Sequence, residues 1–555
     1  MLKRVAKNSR SFSSLGRFRL PALVPEPFQH YPKGSQERAD LLAELKKTKA
    51  EVVEIPCVVG GKEIYTGKVV NQVIPSDHQH VIARFHQADA KVMHDACRAA
   101  QAAKYEWENM PIADRLMIFR KAADMISGPK RYELMAATMF GTGKNVWQAE
   151  IDAAVETIDF LRQNTNYAEQ VYDQQPPFNS KNTWNRVEYR PLEGFVAAVC
   201  PFNFLAIGAN LPTAPAMMGN TVLWKPASTA VLGNWRVFQI LKECGIPDGV
   251  LNFTPTDGKT FGSCVNDRDF GGLHFTGSTD TFNYLWQQVG ANLNKYKSYP
   301  RLVGETGGKN FHIAHKSANL QHFVNSTIRG AFEYQGQKCS ATSRAYIPSN
   351  LWPEAKKMFQ DELSKIKMGQ PDDLTAFLTA VIDAKSFKTI TSAITAAKQS
   401  PSCEIIAGGK FDDSKGYFIE PTIIVTTDPH YATMKDELFG PVLTVYVYDE
   451  NKWEETLKLV DNTAVYALTG GLFATERAAI VSGTQHLRHS AGNFYINDKS
   501  TGAVVGEQPF GGGRMSGTND KAGFYLNLTR WVSARTIKEN TAIPLKKWSY
   551  PSNEV

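Results

Sequence analysis

"GFVAAVCPFNFLAIGANLPTAPAMMGNTVLWKP", residues 194–226, decides how the chain is read. From Gly194 to Trp224 it carries no charged side chain, a length that would suit a membrane span. Prolines at 201, 212 and 215 and asparagines at 203, 210 and 220 argue against one. The grammar is instead an apolar strand, a loop, a helix of small residues and a second strand. The unit recurs downstream. A helix over 229–244 precedes "GVLNFTP" (249–255), and a helical stretch precedes "GGLHFTGS" (271–278). A helix over 279–293 then leads to "RLVGETGGKN" (301–310). The second half repeats the theme with a helix over 317–335, a strand over 343–347, a helix over 351–366 and a strand over 443–449. Strands alternating with helices predict an α/β protein built on parallel, doubly wound sheet.

Outward from that core, "SQERADLLAELKKTKAEV" from Ser35 predicts a short helix with a serine N-cap. Residues 113–126 form an amphipathic helical pattern, and 144–170 continue helical. "DQQPPFNSKNTWNRVEYR", 173–190, breaks the pattern and reads as an arm or hairpin. After a Gly-rich loop over 501–518 the tail is β-like.

The chain has 555 residues, 43% hydrophobic and 21% charged, which is the balance of a globular protein with a large core. Its net charge of +7 is local. Lys3, Arg4, Lys7, Arg10, Arg17 and Arg19 stand in residues 1–21, the first acid is Glu26, and removing those six charges leaves +1. A near-neutral body gives no case for nucleic-acid binding. The basic, Ser-rich, acid-free start has the composition of a mitochondrial transit peptide over 1–21. Seven cysteines without a CxxC pair signal neither a zinc site nor a disulfide framework, and no metal is expected.

One cysteine stands apart. Cys339 lies in the polar stretch "EYQGQKCSATSR" (333–344), where packing alone would favour apolar neighbours. A catalytic cysteine acts as its thiolate, so a base or a lowered pKa is needed. Glu305, at a strand end beside glycines, is a candidate general base, although an isolated glutamate there is more often an ion-pair partner. Asn203 either caps a helix or aims its amide at developing negative charge. "FTGST" ends a strand and opens a helix whose N–H groups could face a phosphate. Lys225 could reach ribose hydroxyls or simply be solvated. Open α/β sheets bind ligands at strand carboxyl ends, which selects loops 200–204, 224–229, 275–281 and 304–310.

Taken in order, "PFNF", "WKPA", "FTGS", "GETGGKN", "GQKCSA", "ELFGPV", "GNFYIND" and "PFGGGRMSGT" resemble the aldehyde dehydrogenase superfamily, over residues 50 to 540. "FEYQGQKCSA", "INDKSTGAVVGEQPFGG" and "SGTNDKAG" resemble its branch acting on glutamate γ-semialdehyde. The resemblance implies a Rossmann-type NAD-binding domain (22–169 and 191–304), an α/β catalytic domain (305–500) and a small β oligomerisation element (170–190 with 501–555). It implies Cys339 as nucleophile, Asn203 as oxyanion donor and Glu305 as base, in an NAD-dependent oxidation running through a thiohemiacetal and a thioester. For the cofactor it implies Cys200, Lys225, Gly277, Ser278, Thr279, Asp280, Thr281, Glu437 and Phe439. For the substrate it implies Ser340, Gly502, Ala503, Phe204 and Phe510; without the family both phenylalanines would read as core residues. Many NAD-preferring relatives carry glutamate where this chain has Ser228, which leaves NADP less firmly excluded. The same resemblance implies a homodimer or higher homo-oligomer in the mitochondrial matrix, without stable membrane insertion, acting second in proline degradation with transient contact to a proline dehydrogenase. Another semialdehyde dehydrogenase, or a cysteine hydrolase needing no NAD, remains the alternative.

Overall fold

The structure, a computed structural model, describes residues 19–541 and 544–553. Residues 1–18, most of the expected leader, lie outside the described residues. Of its last residues, the Leu20 N–H donates to Glu169 at 3.0 Å and the Pro21 carbonyl accepts from Arg120 at 2.7 Å.

The decisive stretch folds as read. Strand β1 (Phe195–Val199) leads into a helix, Leu205–Met217, and then β2 (Val222–Lys225). Among the described residues no helix is long and apolar enough to cross a membrane. With β3 (Leu251–Phe253), β4 (Phe270–Thr276) and β5 (Arg301–Glu305), these strands form a sheet of order β5-β4-β1-β2-β3. These five strands run parallel, and an antiparallel pair, Cys57–Val59 and Lys62–Ile64, extends the β3 edge. Strand order reverses between β1 and β4, so a crevice opens at their carboxyl ends. The register keeps those ends level, with Val199 opposite both Lys225 and Phe275 and Thr276 opposite Glu305. Four loops therefore leave one edge of the sheet together. Burial on both faces explains the near-continuous apolar strands.

A second seven-stranded sheet follows. It contains β6 (Asn310–Ala314), β7 (Thr342–Pro348), β8 (Thr422–Thr426), β9 (Val442–Tyr448), β10 (Thr469–Phe473) and β11 (Asn493–Ile496). Their order is β8-β9-β7-β6-β10-β11, all parallel, with Cys403–Ala407 antiparallel on the β8 edge. The arm after Pro176 and Pro177 is a strand, Thr183–Pro191, paired antiparallel with the tail strand Val532–Asn540 from Pro191↔Val532 to Thr183↔Asn540. The alternation expected from the sequence is thus the fold adopted.

One local departure matters for the site. The helical run after Asn145 is not uniform: Glu150–Glu156 is wound as π-helix before α-helix resumes over Thr157–Tyr172. Such insertions recur at functional sites because they re-aim side chains. Here Asp152, inside the π turn, accepts the N–H groups of Leu205 and Ala206 at 2.9 and 2.8 Å. A carboxylate at that helix N-terminus satisfies free donors and meets the positive end of the helix dipole.

Candidate active site

Cys339 does not sit at a strand's carboxyl end. It precedes β7, at the amino edge of the second sheet, and the first sheet brings its carboxyl-end loops to meet it. Tyr334, Gln335 and Gly336 take positive φ (53°, 54° and 67°), a left-handed turn that reverses the chain after the helix Leu320–Phe332. A Cβ on Gly336 would lie 2.3 Å from the Gly440 carbonyl, so glycine is required there for space as well as for φ. Asn310 then fixes the cysteine loop. Its Nδ2 donates to the carbonyls of Cys339 and Ala341 at 2.7 and 2.8 Å, and its Oδ1 accepts from the Thr469 N–H at 3.0 Å.

Cys339, Glu305, Ser340, Phe204, Phe510, Gly502 and Ala503 line one cavity of about 250 Å³. These residues come from five different segments of the sequence. The cavity is mostly apolar with a few charged groups, as small-molecule sites are. Cys339 is half-buried rather than presented to solvent. Burial raises its thiol pKa above the ordinary value, and Glu305 and Glu437 push it further; the Ser340 and Cys339 N–H groups oppose them.

Among the described residues Glu305 makes no ion pair. Its Oε1 is buried without a hydrogen bond, and burial raises its pKa to about 8. A carboxyl near neutrality facing a thiol is the pattern of a proton acceptor. Asn203 is no helix cap either. Asp152 caps that helix, while Asn203 Nδ2 donates to the Gln337 carbonyl at 3.1 Å, two residues before the cysteine. One amide hydrogen remains for another acceptor.

Of the expected cofactor residues, Cys200, Lys225 and the 277–281 turn lie along the first sheet's carboxyl edge, and Glu437 and Phe439 come from the segment before β9 of the second sheet; none lines that cavity. Lys225 is not a solvated lysine: burial lowers its pKa, and among the described residues its ammonium reaches only the Pro226 carbonyl, at 3.5 Å. A desolvated ammonium so poorly partnered fits hydroxyl or phosphate oxygens. Ser278 caps the helix Thr279–Ala291, accepting from the Thr281 N–H at 3.4 Å, and leaves the Thr279 and Asp280 N–H groups facing outward in the first turn. Thr279 Oγ1 donates to the Met515 carbonyl at 3.4 Å. Glu437 is held by the Gly308 N–H at 2.8 Å, and burial raises its pKa to about 7. Phe439 has φ 56° and meets Phe202 edge-on at 5.7 Å between ring centroids. Cys200 differs: its side chain is buried in the core and its Sγ–H donates to the Gly208 carbonyl at 3.4 Å, so its thiol is occupied. These residues fit a dinucleotide.

The profile of the aldehyde dehydrogenase family matches residues 65–537. The chain belongs to the aldehyde dehydrogenase family. It is 56% identical over 542 residues to the mitochondrial delta-1-pyrroline-5-carboxylate dehydrogenase of Dictyostelium discoideum, covering 97% of each chain. It is 52% identical over 527 residues to the human protein of that name, covering 95% of this chain and 93% of the other. Among solved structures it resembles the delta-pyrroline-5-carboxylate dehydrogenase of Mycobacterium tuberculosis bound with NAD. The TM-score is 0.94 at 44% identity, covering 98% of this chain and 100% of that one.

Within this aldehyde dehydrogenase, sequence reasoning missed the groups that hold the site together. Lys144 is buried on Asp152 at 2.8 Å and sits over the Phe204 ring, 3.9 Å from its centroid. Lys338 is buried on Glu333 at 3.0 Å. Glu156, which also lines the cavity, is raised to about 8 by burial and by the Asp152 charge. No local signal marks these pairs, because each joins a π turn or a left-handed turn that periodicity does not reveal.

His312 is the least expected. Its Nε2 accepts from the Ser500 N–H at 3.0 Å and contacts Thr342 Oγ1 at 3.0 Å; its Nδ1 faces Thr327 Oγ1 at 2.9 Å. Ser500 Oγ in turn donates to the Ser340 carbonyl at 2.9 Å. The ring is therefore neutral with its proton on Nδ1, and burial lowers its pKa to about 3. It ties the cysteine loop to the Gly502–Ala503 turn. His312→Leu is expected to cost about 1–3 kcal/mol of stability for the orphaned Ser500 N–H. It should also raise KM for the aldehyde more than it lowers kcat. Thermal melts and steady-state kinetics check both.

Proposed function

We propose that this chain oxidises L-glutamate γ-semialdehyde, the ring-opened form of pyrroline-5-carboxylate, to L-glutamate with NAD, as the second step of proline degradation. The observation that carries the reading is the single cavity in which Cys339, an unpartnered Glu305 and the Gly502–Ala503 turn meet between Phe204 and Phe510. A nucleophile, a base, an anion-binding turn and two apolar walls suit a short aldehyde bearing a carboxylate.

The residues divide the work as follows. The Cys339 thiol must lose its proton before attack, and the raised Glu305 carboxylate is an acceptor in the same cavity. Attack gives a tetrahedral thiohemiacetal, whose oxyanion takes the free hydrogen of Asn203 Nδ2 and the Cys339 N–H. NAD, when bound, would supply the hydride acceptor that lets the thiohemiacetal collapse to a thioester on Cys339. Lys225, the 277–281 turn with Gly277, Ser278, Thr279, Asp280 and Thr281, Glu437 and Phe439 would hold NAD. Glu305, once it has passed the thiol proton to solvent, takes a proton from the water that hydrolyses the thioester, releasing the acid and the Cys339 thiolate. Ser340 Oγ and the N–H groups of Gly502 and Ala503 hold the substrate's carboxylate, and Phe204 and Phe510 bracket its methylenes.

Asn203→Ala should lower kcat/KM by roughly 10²- to 10³-fold, the usual cost of losing one oxyanion donor. Steady-state rates with unaltered NAD affinity check it. The arm Thr183–Pro191, paired with the tail strand, serves as the oligomerisation element of a homodimer or larger assembly. The enzyme works in the mitochondrial matrix after loss of its basic leader, in transient contact with a proline dehydrogenase that supplies the substrate.

The test of the substrate is NADH formation by the purified chain with pyrroline-5-carboxylate, succinic semialdehyde, methylmalonic semialdehyde and simple aldehydes. Preference for pyrroline-5-carboxylate is expected. Preference for another semialdehyde would keep the chemistry and replace the substrate.

A further inference from the structure

Four side chains of ordinarily basic charge line the cavity: Arg329, Lys338, Lys499 and Lys521. Three are engaged. Arg329 and Lys338 each contact Glu333 at 3.0 Å. Lys521 donates to the carbonyls of Gly492 and Gly511, both at 2.9 Å. Among the described residues the Lys499 ammonium has no ion-pair or hydrogen-bond partner, although its own N–H donates to Asp498 at 2.7 Å. It is half-buried at the cavity wall.

Its position is specific. A Cβ built on Gly502 would lie 3.0 Å from Lys499 Nζ, so the ammonium stands directly over that glycine. Gly502 takes φ 91°, which exposes the turn's N–H groups. The neighbouring donors are spent: the Ser500 N–H on His312 at 3.0 Å and the Val504 N–H on the Gln508 side chain at 2.9 Å. The Gly502 and Ala503 N–H groups have no partner among the described residues. Two amides and one ammonium, all without a hydrogen-bond partner, thus meet at one spot in the wall, the ammonium sharing its field with the Glu333 carboxylate that Lys338 and Arg329 already neutralise. Ala503 adds no side-chain donor, so charge at that spot comes from Lys499.

We propose that Lys499 is a specificity-determining residue: its ammonium pairs with the carboxylate of the aldehyde substrate at the Gly502–Ala503 turn and sets the preference for an anionic over a neutral aldehyde. The assignment rests on the reading of the substrate given above. Main-chain amides alone bind a carboxylate through neutral donors, whereas an ammonium adds a charge-assisted bond of about twice the strength. The neutral aldehyde lacks the partner and gains nothing from it.

The experiment compares kcat/KM of the wild type, Lys499→Met and Lys499→Arg for pyrroline-5-carboxylate and for butanal, each with saturating NAD. Lys499→Met should lose about 10- to 100-fold on pyrroline-5-carboxylate and change by less than about twofold on butanal. Lys499→Arg should recover most of the loss, because the charge is kept. Retained butanal oxidation shows that the variant is folded and loaded. Equal losses on both aldehydes, or an unchanged preference in Lys499→Met, would overturn the assignment while leaving the substrate reading intact. A wild type with no preference for pyrroline-5-carboxylate over butanal would overturn both.

Discussion

Cys339→Ala is expected to lower aldehyde oxidation by about 10⁵-fold or more, the scale of loss when a covalent nucleophile is removed. The substitution should leave the fold intact. The contacts that fix the loop use the Cys339 carbonyl, through Asn310 Nδ2 at 2.7 Å, and not the thiol. Gly308 packs on the same carbonyl, where a Cβ would come within 2.6 Å, and that approach also survives. NAD binding should persist, since Lys225, the 277–281 turn and Glu437 contribute through other segments. Stopped-flow absorbance with and without aldehyde, together with NAD titration, separates the two. Loss of NAD affinity in a folded variant would show that the role of Cys339 has been misread.

Glu305→Gln is expected to have the second largest effect, and on one step above all. Hydrolysis of the thioester needs a base, and general-base catalysis is worth roughly 10²- to 10⁴-fold. The first turnover should still release NADH, more slowly because water must take the thiol proton in place of Glu305, but hydrolysis slows more, so a burst followed by a slow steady state is the expected trace. The pH profile follows from burial of the carboxyl. Because burial raises the Glu305 pKa to about 8, the group holds its proton below that pH and cannot accept another. In the wild type, deacylation should therefore rise with pH until about 8 and then level off. In Glu305→Gln that limb should vanish. An unchanged steady-state rate under conditions where deacylation limits turnover would count against Glu305 as the base.

The two sheets differ in how much of them was legible. Strands such as Phe195–Val199 and Thr342–Pro348 are apolar runs bounded by turn signals, and their period is plain. The strand Thr469–Phe473 carries two glycines and shows no strand period. Its reason lies across the sheet: a Cβ on Gly470 would fall 2.2 Å from the Phe311 ring, and one on Gly471 would fall 2.8 Å from the His312 ring. Bulk supplied by β6 is absent from β10, so a tertiary fact erases the local pattern. The rule that ligands meet strand carboxyl ends selected loops that the first sheet does bring to one edge. It could not show that the cysteine loop comes from the amino edge of the second sheet, because that depends on how two sheets face each other.

The site shows the same division. Asn203 and Glu305 each had a bland reading, as cap and as ion-pair partner, and local sequence could not choose. Asp152 decided the first by occupying the helix N-terminus, and an empty hydrogen-bonding position on Glu305 decided the second. Both answers come from residues far away in sequence. Lys144 and Lys338 were invisible for the same cause: their partners lie on turns whose φ values or π winding leave no periodic trace, while the partners of His312 are spread over a helix, a strand and a loop distant in sequence.

The most direct test of the central claim is the intact mass of Glu305→Gln quenched after mixing with pyrroline-5-carboxylate and NAD, followed by peptide mapping. A single glutamyl adduct on the peptide carrying Cys339, formed in step with the NADH burst, is the predicted result. NADH produced without an adduct, or an adduct on another residue, would contradict the account.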